Sequence, residues 1–183
     1  TYPLGELTED EKRFYTWTLQ SHIDLAKAVW LDYCECKMID TIAREPLWRH
    51  LINYRCGTGH SVSFVGNVHE GPHALNSRNT TRMRPGMVVT DEPGVYETDL
   101  VGIRIENELV CVHKADNQYG TFLGFEPLMF VPIATSPILP GVLDKDEIAW
   151  LNDYHRQVFA KLAPHLNDEE RSWLAEKCAA IGC

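Results

Sequence analysis

From Gly57 to Pro132, glycine and proline cut the chain into short runs rich in Val, Ile and Phe, and segments of helical periodicity flank this stretch on both sides. Met87-Val88-Val89-Thr90, Gly102 to Asn107 and Leu109 to Val112 are the clearest of these runs, and all are expected as strands. Met129 to Ile133 continues the β-like pattern up to a loop around Pro137 and Pro140. The order helices, sheet, helices predicts an α+β fold rather than an alternating βαβ winding.

The flanking helices carry their own start signals. Thr8 and Glu11 have the spacing of a capping box, and Tyr15, Leu19, Ile23, Ala26 and Trp30 recur on one face behind it, which predicts a helix of about 20 residues. A second helical stretch is expected from Ile39 to Leu51, with Pro46 either kinking it or marking a restart. After the sheet, Asp144 with Glu147 and Asn167 with Glu170 open two further helices, the first apolar at Ile148, Leu151, Val158 and Leu162.

A chain of 183 residues, 44% of them hydrophobic, can bury one sizeable core or form a large piece of one. Its 26 acidic and 17 basic side chains leave a net charge of -9, and the Lys and Arg residues are scattered, so nucleic acid and anionic membranes are not expected partners. No apolar run approaches the roughly 18 residues that span a bilayer. The six cysteines, Cys34, Cys36, Cys56, Cys111, Cys178 and Cys183, lack the dense spacing of a secreted disulfide scaffold, so reduced thiols and a cytoplasmic compartment are expected. Cys34 and Cys36 stand too close together for a zinc knuckle. Because the first residue is Thr1 rather than Met, the chain is expected to be part of a longer polypeptide.

Three segments place ionisable side chains in apolar or glycine-bounded surroundings: Gly57-Thr58-Gly59-His60 with Asn67-Val68-His69-Glu70-Gly71-Pro72, then Thr90-Asp91-Glu92-Pro93-Gly94, then Gly102-Ile103-Arg104-Ile105-Glu106-Asn107. Taken singly, each has an ordinary reading. His60 reads as a hydrogen-bonded structural histidine, Glu92 as a strand terminus, and Arg104 with Glu106 as an ion pair on a solvated strand face. Taken together, one imidazole and two carboxylates from separate strands make a mixed nitrogen and oxygen donor set of the kind that takes Mn, Co or Zn. Arg104 is then placed to orient a ligating carboxylate, and His69 to shuttle a proton or steady an oxyanion.

In order and spacing, these segments resemble the aminopeptidase P branch of the pita-bread metallopeptidases, a group that also holds prolidase, methionine aminopeptidase and creatinase. Phe125-Glu126-Pro127-Leu128, Val131-Pro132-Ile133 and the tail around Trp150-Leu151-Asn152 with Tyr154-His155 resemble the C-terminal extension of the larger aminopeptidase P enzymes. The resemblance implies the second half of a pita-bread domain over residues 1–133 and a helical extension over 134–183. It also implies His60, Glu92 and Glu106 as metal ligands, His69 as the catalytic histidine, and Arg104 and Tyr96 as supporting groups. The implied reaction is metal-assisted hydrolysis of the bond before a proline at the second position of a peptide, with two ions, most simply Mn, in the complete enzyme and a homodimeric assembly.

The family uses two further aspartate ligands, which the resemblance places ahead of Thr1; Asp10 and Asp24 fall in the first helix and do not align with them. Two divalent ions carry four positive charges, of which Glu92 and Glu106 offset only two, so weak, pH-sensitive metal binding and little activity are expected of the chain by itself. Cys56 stands where many relatives have histidine, and Ser61 and Ser63 replace two glycines of the family pattern. The competing readings are a non-catalytic homologue that binds peptides or dimerises, and a prolidase-like dipeptidase.

Overall fold

Thr8 and Glu11 close the expected capping box: Glu11 Oε2 accepts from the Thr8 N–H at 2.7 Å, and Thr8 Oγ1 accepts from the Glu11 N–H at 3.3 Å. The computed structural model describes residues 1–182. The first helix, α1, runs Glu9–Ala26 and buries Tyr15, Leu19, Ile23 and Ala26 as expected. Trp30 is buried too, but in a short strand, β1 (Val29–Leu31), rather than on the helix. The second helix, α2, is Cys36–Trp48, three residues earlier at each end than expected, with Pro46 inside it. Pro46 cannot donate to the carbonyl four residues back, and the helix ends two residues later at Trp48.

The strands that follow are β2 (Gly59–His60), β3 (Ala74–Leu75), β4 (Val88–Asp91), β5 (Gly94–Glu97), β6 (Val101–Arg104), β7 (Asn107–Asn117) and β8 (Gly120–Pro127). A four-stranded antiparallel sheet has the order β1-β8-β7-β4, while β2 pairs with β3 and β5 with β6. The β7–β8 hairpin turns at Gly120, whose φ of 134° lies outside the range of most side chains. Two helices complete the chain, α3 (Lys145–Leu162) and α4 (Asp168–Lys177), separated by a 3₁₀ turn at Ala163–His165. Both begin with complete capping boxes, from Asp144 with Glu147 and from Asn167 with Glu170.

The chain forms two units, residues 17–129 and residues 1–16 with 130–183. In the second, Tyr154, Val158, Ala163 and Leu174 form the core, and Phe130, Ile133 and Trp150 pack against it. The stretch Met129 to Ile133 is not a strand, contrary to its apolar pattern. Side chains satisfy its backbone instead. Tyr154 Oη accepts from the Val131 N–H at 3.2 Å and donates to its carbonyl at 3.0 Å, while His155 Nε2 accepts from the Ile133 N–H at 3.1 Å.

In the first unit, α2 is tied to the loop behind it by Arg44. Its guanidinium pairs with Asp40 at 2.8 Å and donates to Asn53 Oδ1, to the Tyr54 carbonyl and to the Cys56 carbonyl at 3.1, 2.9 and 3.0 Å. Cys34, Cys36, Cys56, Cys111 and Cys178 are free thiols, and burial pushes Cys36 and Cys111 up to about 11; Cys183 lies outside the described residues. Among the described residues no helix is long and apolar enough to cross a membrane.

Candidate functional site

β2 delivers His60 to the end of β4, where Glu92 follows the last strand residue. The approach depends on Gly59: a Cβ there would stand 1.7 Å from the Thr90 carbonyl oxygen, so only glycine lets the two backbones come this close. The Glu92 N–H donates to the Thr58 carbonyl at 2.7 Å, which locks the two segments together.

Thr90 links the two candidate ligands. Its hydroxyl accepts from the His60 N–H at 3.0 Å and donates to Glu92 Oε1 at 3.0 Å. The other oxygen of Glu92, Oε2, takes an ion pair from Arg104 Nη1, and Arg104 Nε donates to the Tyr96 hydroxyl at 2.8 Å. Both oxygens of Glu92 are thus held in place.

The imidazole of His60 sharpens the electrostatics. Its Nδ1 lies 3.1 Å from the Ser61 carbonyl, which can only accept, so Nδ1 carries the proton. In a neutral ring Nε2 is then a bare lone pair, and it faces Glu92 Oε1 at 3.0 Å. Two acceptors at that separation need a positive charge between them, a proton or a metal ion. A divalent ion held by both groups would supply that charge.

The remaining expected residues surround this pair unevenly. The His69 ring meets His60 edge to face, with centroids 4.1 Å apart, and both line a cleft of about 460 Å³ with Glu92, Arg104 and Cys56. Glu106 follows β6, with Ile103 and Ile105 buried on the opposite face as the alternation predicts. It makes no hydrogen bond among the described residues, but burial and the charge of Glu92 push its carboxyl above the usual range, against Arg104 and His60. Among the described residues no three His, Cys, Asp or Glu side chains converge in a geometry that holds a metal ion. The donor set therefore fits an ion in part, through the facing pair His60 and Glu92, with Glu106 as their electrostatic neighbour. Asp10 and Asp24 are engaged locally on α1, with Arg13 at 2.6 Å and Lys27 at 2.9 Å.

Two contributors had no separate signal in the sequence. Thr90 precedes Glu92 by two residues on one strand, and that shared face is the only hint that its hydroxyl serves the carboxylate. Behind the site, His22 of α1 and Asp91 form a fully buried pair, Nδ1 to Oδ2 3.1 Å. Burial pushes the Asp91 carboxyl up, His22 opposing.

The chain belongs to metallopeptidase family M24, whose model matches residues 1–113, and the C-terminal region of peptidase M24 matches residues 121–181. The fold is accordingly the α+β pita-bread fold of that family. Aminopeptidase P1 of Lotus japonicus is 38% identical over 188 residues, covering 100% of this chain and 28% of the relative. Aminopeptidase P2 of Arabidopsis thaliana is 41% identical over 181 residues, covering 95% of this chain and 25% of the relative. Among solved structures, an X-prolyl aminopeptidase from Caenorhabditis elegans, described as a cytosolic enzyme with a di-nuclear active site, is similar at a TM-score of 0.90 and 37% identity. That match covers 96% of this chain and 30% of the other. The chain thus spans less than a third of the length of these relatives.

Proposed function

We propose that this chain is the active-site portion of a cytoplasmic Xaa-Pro aminopeptidase, a metallopeptidase that hydrolyses the bond between an N-terminal residue and a following proline. One observation carries the reading: Nε2 of His60 and the carboxylate of Glu92 face each other at 3.0 Å in a cleft they share with His69 and Arg104, a nitrogen and an oxygen donor from separate segments. Family membership and the names of the relatives support it.

His60 and Glu92 would hold a divalent ion, most simply Mn, which Glu106 would join as a third ligand by turning toward it, in a site that takes two ions when the family's other ligands are present. When bound, the ion supplies Lewis-acid polarisation of the scissile carbonyl and a nucleophile at neutral pH. The chain's own groups do the rest. Thr90 and Arg104 hold the two oxygens of Glu92 in place, Tyr96 holds Arg104, and His69, exposed on its loop beside His60, hydrogen-bonds the carbonyl oxygen or moves a proton there. Residues 1–133 form the catalytic portion and 134–183 its extension, and the assembly is a homodimer.

Calorimetric titration with Mn tests the ligand set. Wild type is expected to bind with proton release that depends on buffer ionisation, because a proton shared by Nε2 and Glu92 must leave before Nε2 coordinates. Glu92→Gln and Glu106→Gln are expected to weaken binding about tenfold or more. Equal binding by wild type and Glu106→Gln removes Glu106 from the site. For the natural polypeptide carrying this sequence, faster cleavage of Xaa-Pro dipeptides than of Arg-Pro-Pro overturns the aminopeptidase assignment in favour of a dipeptidase.

A further inference from the structure

Beside the cleft that holds His60 and Glu92 lies a second, larger one of about 700 Å³, and the two share Cys56, Gly57 and Asn76 as a common wall. Three arginines line the larger cleft, Arg44, Arg55 and Arg78, and none of its lining residues is acidic. In a chain with a net charge of -9 this is a local inversion of sign. The charge of Arg44 is spent on Asp40 at the floor. Arg55 and Arg78 are exposed, and neither guanidinium takes part in an ion pair or side-chain hydrogen bond among the described residues. The floor beneath them is fixed, because Arg44 holds the Asn53 side chain and the Tyr54 and Cys56 carbonyls, and Trp48 Nε1 donates to Asn53 Oδ1 at 3.1 Å. A rigid, wet cleft presenting two uncommitted guanidiniums is suited to a carboxylate.

We propose that this cleft reads a carboxylate on the peptide substrate, downstream of the proline. The inference rests on the proposed function and follows from its geometry. When the bond cut lies behind the first residue, any part of the peptide that leaves the site belongs to the proline side. At about 3.3–3.6 Å per extended residue, the third to fifth positions reach into an adjoining cleft of this size. The carboxylate is either an acidic side chain at those positions or the free C-terminus of a short peptide.

The test uses the natural polypeptide carrying this sequence, loaded with Mn, and Ala-Pro pentapeptides with Glu, Gln or Lys at positions three, four or five. Each is made as a C-terminal amide, and the Gln series also as the free acid. At low salt the best Glu peptide is expected to exceed its Gln counterpart about fivefold in kcat/KM, through KM, with Lys below both. The advantage shrinks as salt rises. A gain for the free acid over the amide assigns the terminal carboxylate, and a gain for Glu in the amides assigns the side chain; either supports the cleft. The Glu to Gln ratio falls to about one in Arg55→Gln/Arg78→Gln and is retained in large part in Arg55→Lys/Arg78→Lys. Cleavage with preference for neither Glu nor the free acid, or a preference that survives the double Gln substitution, overturns the subsite and leaves the aminopeptidase reading standing. No cleavage of any Ala-Pro peptide overturns the aminopeptidase reading, and the subsite with it.

Discussion

Arg44→Met probes the tie that holds the approach to the site. Methionine keeps the length and helix propensity of the side chain and removes its charge and donors. The structure sets the scale: the Arg44 and Asp40 side chains are 9% and 1% exposed and meet at 2.8 Å, so the substitution strands a carboxylate in the interior with, among the described residues, the Thr58 hydroxyl left to it. Removing one partner of such a pair costs about 3–5 kcal/mol. The carbonyls of Tyr54 and Cys56 also lose their donor, although the half-buried Cys56 can recover water. Against a total stability of about 5–15 kcal/mol, the loss is a large fraction. In urea, with an m of about 2 kcal/mol/M, the midpoint falls by about 2 M at unchanged slope. Tryptophan fluorescence, to which Trp48 beside Asn53 contributes with four other tryptophans, follows the transition. Adding Asp40→Leu removes the stranded charge and is expected to recover most of the loss. A single variant within about 1 kcal/mol of wild type, or a double variant no better than the single, refutes the buried pair as the source of the effect.

Two further outcomes follow from the same reasoning. Gly59→Ala drives a Cβ to 1.7 Å from the Thr90 carbonyl, a contact with backbone that no rotamer relieves, so β2 must part from β4. Mn affinity should fall by at least tenfold even where the protein stays folded, and an unchanged titration would show that the close approach is not needed. Burial holds the His155 imidazole below its usual range, and its Nε2 accepts from the Ile133 N–H. The folded state therefore binds fewer protons than the unfolded one. The stability this group contributes is complete above about pH 6.5 and declines as pH falls below it. His155→Gln should flatten the drop between about pH 7 and pH 5 in urea midpoints, and an equally steep drop in the variant would assign it to other groups.

What could be read from the sequence was what short stretches decide by themselves. The capping boxes at Thr8, Asp144 and Asn167 are satisfied within three residues, so their spacing announces them. Ile103 and Ile105 against Arg104 is alternation on one strand, and the buried face is the predicted one. The Met129 to Ile133 stretch has the pattern of a strand, but its partners are the side chains of Tyr154 and His155, twenty-two and more residues away. Trp30 continues the apolar spacing of the helix face, but the helix ends at Ala26 and the chain turns into β1.

The site divides in the same way. The sequence alone determined the chemical kind of the site, a nitrogen and oxygen donor set carried by glycine-bounded strands, since residue type and spacing along the chain suffice for that. Tertiary structure decided that His60 turns Nε2 to Glu92, that Thr90 bridges them, that Glu106 stands beside rather than within the pair, and that Arg55 and Arg78 open on an adjoining cleft. Such facts depend on register and on side-chain direction across segments about 30 residues apart, where the energy of one contact is set by every backbone packed around it.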